Sequence, residues 1–319
     1  MVSITERGVG RITTKQRWLA GLLSALLFLI VCLSWGTTWL GIKIAVETVP
    51  PLTASGLRFL IAFPLFLGFA LLRGDPVFFP RARLGFFVFV TLCYFSLPYY
   101  LLNYGEVYVS SGLTALLFSC MPVFILIFSS LFLRERIHLS QVLGIAIGFG
   151  SLFMILRSQG LSLEHAGFGG VLAILGAALM HALCYVVTKQ KGAEISVITY
   201  NTLPIGVAGL MLFFAGFILE RPDFDGISVR SWGALAYLGL CASVGGFIVY
   251  FYLLKRMSPV MLSFIFIIFP VFAVLVGTWY ENQPIASDFA LYASTLLMGF
   301  AVTKLPLEKL VRRRPGLQG

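Results

Sequence analysis

The two halves of this chain are versions of each other, and each half contains five hydrophobic segments. A shift of 148 positions aligns 92–124 with 240–272 at eight identities in 33 positions, including the triplet Pro-Val-Phe at 122–124 and 270–272. About three identities would be expected by chance at this composition. Shared composition alone predicts scattered matches rather than a collinear triplet. Because five is odd, the second half must enter a membrane with the opposite orientation, as in the inverted repeats of secondary transporters.

The composition requires a bilayer rather than a soluble core. The chain has 319 residues, of which 59% are hydrophobic and 11% are charged, more apolar surface than a soluble domain needs. We therefore predict an all-α integral membrane protein with ten transmembrane helices, arranged as two inverted five-helix repeats around a central cavity. The predicted spans are 18–43, 52–72, 84–104, 111–133, 139–156, 167–188, 197–219, 231–254, 259–279 and 288–305. The predicted domains are an N-terminal tail (1–17), a first repeat (18–156), a connecting loop (157–166), a second repeat (167–305) and a basic C-terminal tail (306–319).

Most of the Lys and Arg residues of the chain fall on one side of the predicted membrane spans. The net charge of +10 could indicate nucleic-acid binding. If the N-terminus is cytoplasmic, however, 18 of the 23 Lys and Arg residues fall on the cytoplasmic side, four fall on the other side, and Arg58 falls inside a span. This asymmetry follows the positive-inside rule, so we predict that both termini are cytoplasmic. The basic tails then lie beside anionic lipid, and nucleic acid is not an expected partner.

The chain lacks the groups that membrane enzymes and pumps use. Its 13 Asp and Glu residues fall in loops or at span ends, without HExxH, a P-loop or a mid-membrane carboxylate pair. Metal-assisted hydrolysis and nucleotide-driven transport need such groups. We therefore expect no enzymatic activity, no catalytic residue, no cofactor and no metal site. The five cysteines lie inside predicted spans without CxxC spacing, and we interpret them as packing residues.

Aromatic residues in the first and sixth spans are the first candidates for a binding site. Trp35 and Trp39 lie one helical turn apart, and so do His181 and Tyr185. A shift of 146 positions aligns the two pairs, which would face each other in an inverted repeat. Trp35 and His181 lie too deep for the aromatic belt of the interface, so we expect them to line a cavity. Trp39 and Tyr185 lie nearer the span ends and fit either a cavity or the belt.

The third span carries the densest set of polar and aromatic side chains. At helical spacing, Ser96, Tyr100 and Asn103 share one face. Pro98 lies beneath this face and frees a backbone carbonyl. This face fits either a cavity or hydrogen bonding between helices. With the residues of the eighth span, the candidate substrate-binding residues are Trp35, Trp39, Tyr94, Ser96, Tyr99, Tyr100, Asn103, His181, Tyr185, Tyr237, Ser243 and Tyr250.

Three further residues inside the spans have more than one interpretation. Pro122 and Pro270 interrupt the fourth and ninth spans at equivalent positions. They are candidate hinges for alternating access, although plain kinks are equally compatible with the pattern. Arg58 lies one to two turns inside the second span. It could extend toward the interface, pair with an acidic loop residue or bind a substrate carboxylate.

Several of these features together resemble one transporter family. The Trp35-Gly36 pair, Arg58, the string Phe-Leu-Arg-Glu-Arg-Ile at 132–137 and the ten spans resemble the EamA family of the drug/metabolite transporter superfamily. Within it, the aromatic third span is most similar to the bacterial aromatic amino-acid exporters. The resemblance implies a multi-pass carrier in the bacterial inner (cytoplasmic) membrane. It also implies a cavity lined by the first four helices of each repeat, with the fifth and tenth helices peripheral. His181 departs from the family, whose second repeat often has Trp there.

The expected function is therefore secondary, ATP-independent export. We expect transport by alternating access through the central cavity. The expected substrates are amino acids, aromatic and other neutral ones, and the expected partners are this substrate and the bilayer. A drug/metabolite or nucleoside-type exporter of the same fold is the alternative. A channel is disfavoured because no charged ring or filter motif is present. Transport without proton coupling and proton transfer through His181, the only deep imidazole, both stay open, and a monomer is one possible assembly.

Overall fold

The computed structural model describes residues 14–109, 111–158, 167–280, 285, 287–303 and 305. Within this part of the chain every regular element is a helix. The predicted tails at 1–17 and 306–319 and the predicted loop at 157–166 lie wholly or largely outside the described residues.

Ten helices follow the order of the predicted spans. The first repeat contains α1 (Thr14–Gly36 and Thr38–Val46), α2 (Pro51–Arg73), α3 (Leu84–Val90, Thr91–Ser96 and Leu97–Tyr108), α4 (Ser111–Phe118 and Met121–Leu133) and α5 (Leu139–Ser158). The second contains α6 (Phe168–Lys191), α7 (Val197–Leu219), α8 (Val229–Tyr237, Leu238–Gly245 and Gly246–Leu254), α9 (Pro259–Leu262 and Ile265–Tyr280) and α10 (Phe289–Val302). Eight are long and apolar enough to cross a membrane, and α5 and α10 supply shorter apolar segments. The predicted all-α membrane architecture is confirmed.

The packing of the helices reproduces the sequence repeat. α2 packs against α7, and α5 packs against α10, so in each pair a helix contacts its own counterpart. The contact of α3 with α6 is matched by that of α8 with α1, and the contact of α4 with α6 is matched by that of α9 with α1. Replacing each helix by its counterpart in the other repeat therefore gives the same set of helix–helix contacts. This is the behaviour expected of two repeats related by a pseudo-two-fold axis.

A local irregularity also recurs in both repeats. α3 contains a π-helical segment at Thr91–Ser96, and α8 contains one at Leu238–Gly245. The shift of 148 positions places 91–96 on 239–244, inside the second segment. A π turn holds more residues than an α turn, so it rotates the subsequent side chains about the helix axis. The repeat therefore extends to backbone geometry that no residue pattern indicated.

Close contact between α2 and α7 depends on a glycine. A Cβ atom on Gly56 would lie 2.5 Å from the backbone nitrogen of Phe213 and 2.7 Å from its Cα. Lipid supplies no hydrophobic drive between helices, so close van der Waals packing at small residues has to hold such pairs together. This contact places the first turns of α2, including Arg58, in the interior of the bundle.

The two candidate hinge prolines occupy different local structures. α4 is interrupted at Ser119 and Cys120, just before Pro122, whereas Pro270 lies inside the continuous segment Ile265–Tyr280. Pro270 has no N–H group to donate to the carbonyl of Phe266, four residues earlier. The hydroxyl of Ser119 lies 2.6 Å from that carbonyl oxygen. A polar contact thus joins the break in α4 to the proline in α9.

Candidate functional site

A cavity of about 50 Å³ lies at the centre of the bundle. It is lined by Trp35, Thr38, Trp39, Ile42, Arg58, Tyr99, Leu102, Phe118, His181, Tyr185, Phe266 and Phe269, which come from α1, α2, α3, α4, α6 and α9. α5 and α10 contribute no lining residue. The volume suits roughly three to five water molecules, at about 10–15 Å³ for each. A larger solute therefore fits only if the walls move apart.

Arg58 brings a buried cation to this cavity. Its side chain is 3% exposed, and its Nε donates a hydrogen bond to Ser243 Oγ at 2.9 Å. Its Cζ lies 4.9 Å from the ring centroid of Tyr99, a cation–π contact. Its Nη1 is buried and has no hydrogen-bond partner, and no carboxylate among the described residues forms an ion pair with it. Neither extension to the interface nor pairing with a loop acid therefore describes this residue.

Trp39 forms an aromatic wall beside Arg58. Its ring is stacked on Phe269, with centroids 5.6 Å apart, and meets the ring of Phe118 edge-on at 5.5 Å. Its Nε1 is buried without a hydrogen-bond partner among the described residues. An indole N–H is a donor that buried sites normally satisfy. The cavity therefore contains a second unsatisfied donor in addition to the guanidinium.

Trp35 is held more firmly than Trp39. Its Nε1 donates to the carbonyl of Ala242 at 3.3 Å, and its ring is stacked on Tyr250 at 4.9 Å. A Cβ atom on Gly246 would lie 2.4 Å from this Nε1. Gly246 therefore leaves the space that the indole of Trp35 occupies, so this glycine serves packing between α1 and α8.

His181 is enclosed by aromatic rings. Its side chain is 2% exposed, and its ring centroid lies 4.9 Å from that of Tyr94, 5.3 Å from that of Tyr99 and 5.6 Å from that of Phe118. Its Nδ1 is buried, and no acceptor or donor among the described residues lies in hydrogen-bonding geometry with it. The backbone of Tyr94 lies beside the imidazole. The carbonyl of Tyr94 is the one that Pro98 leaves without its usual helical donor, so the break predicted in α3 lies next to His181.

A layer of aromatic side chains closes one side of the cavity, and we call it the tyrosine layer. Its members are Tyr94, Tyr185, Tyr200, Tyr250 and Phe251, all of them buried. The hydroxyl oxygens of Tyr94 and Tyr185 lie 3.1 Å apart, the rings of Tyr185 and Tyr250 lie 4.5 Å apart, and those of Tyr200 and Phe251 lie 4.4 Å apart. The layer lies between the central cavity and the bundle end that carries the loops at 74–83, 134–138, 192–196 and 255–258. We call this end the basic end, because most loop Lys and Arg residues lie there.

The structure brings most of the predicted site residues together. The predicted residues that line the cavity are Trp35, Trp39, Tyr99, His181 and Tyr185. Those that contact the lining residues from behind are Tyr94, Ser243 and Tyr250. Those that lie elsewhere are Ser96, Tyr100, Asn103 and Tyr237.

The polar face predicted on α3 is not the face that meets the cavity. Tyr100 is partly exposed and lies against Tyr104 at 6.0 Å, while its neighbour Tyr99 lines the cavity. Asn103 is buried, and its Nδ2 donates to Ser55 Oγ at 2.7 Å, which joins α3 to α2. The buried face of α3 is centred near Tyr99, so Tyr100 lies at its edge.

Ser96 and Tyr237 have local structural contacts instead. Ser96 Oγ donates to the carbonyl of Thr91 at 2.7 Å, inside the π-helical segment of α3. The hydroxyl of Tyr237 makes a short hydrogen bond with Thr37 Oγ1, at the break in α1. Both side chains support helix irregularities near the site.

Sequence reasoning missed several lining residues. The sequence leaves three roles open for Arg58, and it does not identify Phe118, Phe266 and Phe269 as lining residues. A signal for two of them was present, because Phe118 and Phe266 are one of the eight identical pairs in the repeat alignment. The remaining lining residues, Thr38, Ile42 and Leu102, carry no sequence signal that separates them from ordinary apolar packing.

Comparison with known proteins identifies the family. The model of the EamA-like transporter family matches twice, at residues 22–157 and 168–304. The chain belongs to the EamA-like transporter family. This transporter is 39% identical to Protein PagO of Salmonella typhimurium over 279 residues, which are 88% of this chain and 92% of that protein.

Other relatives support the same assignment. The transporter is 31% identical over 310 residues to YedA of Escherichia coli K12, named as an uncharacterized inner membrane transporter, with 92% of this chain and 94% of that protein covered. A solved crystal structure aligns with a TM-score of 0.74 and 18% identity over 90% of this chain and 98% of that one, which shows the shared fold. The protein is therefore a multi-pass membrane transporter.

Proposed function

We propose that this transporter exports amino acids, aromatic and other neutral ones, from the cytoplasm across the bacterial inner membrane by alternating access. The observation that carries the proposal is the chemistry of the central cavity. A buried guanidinium without a carboxylate partner lies among aromatic walls. A multiply charged phosphate would call for more buried cations than this cavity offers.

The donors in the cavity suit a carboxylate. Nη1 of Arg58 and Nε1 of Trp39 belong to lining residues and have no hydrogen-bond partner within the described chain. A carboxylate carries only acceptors, so it can satisfy both donors and balance the charge of the guanidinium. A buried cation without a counter-charge is destabilising in a low dielectric. A bound carboxylate supplies that counter-charge, and this contributes to the free energy of substrate binding.

The other walls suit the rest of an amino acid. His181 lines the cavity, and the unprotonated nitrogen of a neutral imidazole can accept a hydrogen bond from an ammonium group. The rings of Trp39, Phe118 and Phe269 offer apolar faces to an aromatic or aliphatic side chain, and faces of this kind also attract cations. A zwitterion with an apolar side chain meets a partner for each of its three parts.

The same geometry supports an orientation for the transport path. We infer that the basic end is cytoplasmic, because 18 of the 23 Lys and Arg residues then lie inside. The tyrosine layer then separates the cavity from the cytoplasm. A reporter that is active only in the cytoplasm, fused after Gly319, should give signal; a silent fusion at that position with an active periplasmic one would overturn this orientation.

Counterflow in liposomes tests the proposal. Purified protein should exchange labelled phenylalanine against unlabelled phenylalanine, tyrosine or leucine, and should not exchange it against a nucleoside or a lipophilic cation. Arg58→Gln removes the charge and should reduce exchange of phenylalanine by at least about tenfold, the factor expected for a lost hydrogen bond to a charged group. Exchange of nucleosides or cations but not amino acids would refute the substrate class.

A stability control separates binding from folding. Arg58 also contacts Ser243 and Tyr99, so its loss could weaken the bundle. Ser243→Ala removes the Nε partner but leaves the guanidinium, and it should retain most of the exchange activity. If Arg58→Gln and Ser243→Ala lose activity in proportion to the loss of thermal stability, Arg58 is a structural residue and the proposed carboxylate site is wrong.

A further inference from the structure

A second cavity lies on the far side of the tyrosine layer, at the basic end. Its volume is about 130 Å³, larger than the central cavity, and its walls include Thr188, Lys189, Tyr200, Phe251 and Lys255. Tyr200 and Phe251 also belong to the tyrosine layer, so this layer is the wall between the two cavities. The second cavity therefore lies on the route that a solute would take between the basic end and the centre of the bundle.

Two lysines of this cavity tie the ends of α6 and α8 together. Lys189, in the last turn of α6, donates from Nζ to the carbonyls of Leu254 at 2.6 Å and Met257 at 2.9 Å, at the end of α8. Lys255, just after α8, donates from Nζ to the carbonyl of Ile195 in the loop after α6. We call these three bonds the lysine latch. The carbonyl of Leu254 lies at the C-terminal end of α8, which leaves it without a helical donor and where the helix dipole favours a cation, whereas Met257 and Ile195 are loop residues.

The latch exists at only one end of the pseudo-symmetric bundle. The shift of 146 positions places Lys189 on Lys43, which is exposed and whose side chain makes no hydrogen bond among the described residues. The shift of 148 places Lys255 on Val107, an exposed apolar residue. The ends of α1 and α3, which correspond to those of α6 and α8, are therefore not tied in this way. For Lys255 the difference lies in the sequence, whereas Lys189 and Lys43 are the same residue in different surroundings.

The acids of the basic end leave the two ammonium groups without a carboxylate ligand. Glu135 and Asp75 lie near enough to interact electrostatically with Lys189 and Lys255 respectively, but neither forms an ion pair with them. Asp75 pairs instead with Arg73 at 3.2 Å. Burial lowers the pKa of Lys255, and Asp75 opposes this shift. The cavity thus presents two cations whose present hydrogen-bond partners are neutral carbonyls.

We propose that the second cavity is a docking site for the carboxylate of a solute arriving at the basic end, and that docking releases the lysine latch. The proposal rests on the proposed function, in that the carboxylate belongs to the transported amino acid. A carboxylate is a stronger partner for an ammonium group than a carbonyl, because both members of the bond are charged. Lys189 and Lys255 exchange carbonyls for the carboxylate, and the ends of α6 and α8 separate.

The native thiol of Cys184 reports whether the basic end opens. Cys184 is fully buried in α6, one turn before Thr188, and lies near Tyr200 of the cavity wall. A variant with the other four cysteines replaced by alanine is reconstituted in nanodiscs and treated with a water-soluble maleimide. Removing the latch by Lys189→Gln or Lys255→Gln should raise the rate of labelling at least about tenfold, the effect of losing a hydrogen bond to a charged group.

Matched variants control for unfolding. Lys189→Arg keeps the charge and the donors and should label as slowly as the parent. Arg256→Gln removes a charge from the same loop without touching the cavity wall, since Arg256 lies over the ring of Tyr252. A variant that retains only Cys32, buried in α1, should label slowly throughout. Equal labelling of Cys184 in the parent and both glutamine variants would overturn the latch.

A carboxylate probe tests docking. 3-Phenylpropionate should speed labelling of Cys184 in the parent, whereas 3-phenylpropionamide and an equal concentration of sodium chloride should not. The glutamine variants should label fast with or without the probe. An equal response to all three additives would overturn the carboxylate site.

One further variant separates this proposal from the proposed function. Arg58→Gln should keep the response to 3-phenylpropionate, because Arg58 lies beyond the tyrosine layer. Loss of the response in Arg58→Gln would place the carboxylate in the central cavity and overturn the second site. Failure of amino-acid exchange in liposomes would overturn the transported substrate but leave the labelling response in place.

Discussion

The contact between Ser119 in α4 and Phe266 in α9 allows a quantitative test of how this bundle compensates for a proline. The hydroxyl of Ser119 lies 2.6 Å from the carbonyl oxygen of Phe266, which Pro270 cannot serve as a donor, and 2.7 Å from that of Ala115 in its own helix. Because the helix can satisfy the carbonyl of Ala115 through Ser119 N–H, Ser119→Ala removes the donor on which the carbonyl of Phe266 depends. An unsatisfied buried acceptor costs about 1–3 kcal/mol in soluble proteins, and hydrogen bonds between membrane helices average about 0.6 kcal/mol. We expect Ser119→Ala to lower the free energy of unfolding by about 1 kcal/mol.

A double-mutant cycle isolates this contribution. Pro270→Ala restores an N–H group that can donate to the carbonyl of Phe266, so Ser119→Ala should cost close to nothing in the Pro270→Ala background. Equilibrium unfolding in bicelles measures all four proteins. A coupling energy of about 1 kcal/mol is expected, well above the additivity error of about 0.3–0.5 kcal/mol. Equal costs of Ser119→Ala in both backgrounds would refute the reasoning.

A second serine on the same helix provides the control. Ser129 is also buried in α4, but its Oγ has no hydrogen-bond partner among the described residues. Ser129→Ala should therefore be neutral or slightly stabilising, because it removes a polar group whose burial is not compensated. A cost similar to that of Ser119→Ala would mean that loss of any serine in α4 destabilises the protein, independent of the contact with α9.

Two further predictions concern packing and coupling. Gly56→Ala should lower the free energy of unfolding by about 2–3 kcal/mol, because its Cβ would lie 2.5 Å from the backbone of Phe213, whereas Gly68→Ala, with open space around it, should be neutral or stabilising by thermal unfolding. Amino-acid flux in liposomes should follow the substrate gradient, so a pH difference imposed without a substrate gradient should produce no accumulation; accumulation that disappears in His181→Gln would instead assign proton coupling to His181.

The sequence predicted the spans and their pairing for a physical reason. Length and hydrophobicity alone decide whether a segment crosses a bilayer, so ten helices follow the predicted order. The repeat alignment determines which helices are equivalent, and the observed helix contacts respect that equivalence. Neither inference needs to know which side of a helix faces inward.

The sequence does not determine which face of each helix points inward. At 3.6 residues per turn the pattern on α3 places Ser96, Tyr100 and Asn103 on one face, but it does not determine which way that face points in the bundle. Tyr99 rather than Tyr100 lines the cavity. The role of Arg58 is also beyond prediction from the sequence, because the choice among its three roles depends on which acids lie nearby in space. Only the fold shows that its nearest polar partner is Ser243, from the other repeat.

The departures from the repeat determine how the two ends of the bundle differ. If the repeats were identical, states open at either end would be equal in energy, and neither would be favoured. In this chain Arg58 has no basic counterpart in α7, where the equivalent positions 204–206 are Pro, Ile and Gly. Lys255 corresponds to Val107. Lys189 corresponds to Lys43, but among the described residues only the side chain of Lys189 in this pair hydrogen-bonds backbone carbonyls. The lysine bonds favour closure at the basic end, and in the proposed docking a ligand that binds the two lysines more strongly than the carbonyls do opens it. In the proposed docking, recognition of a carboxylate by these lysines starts the opening at the basic end.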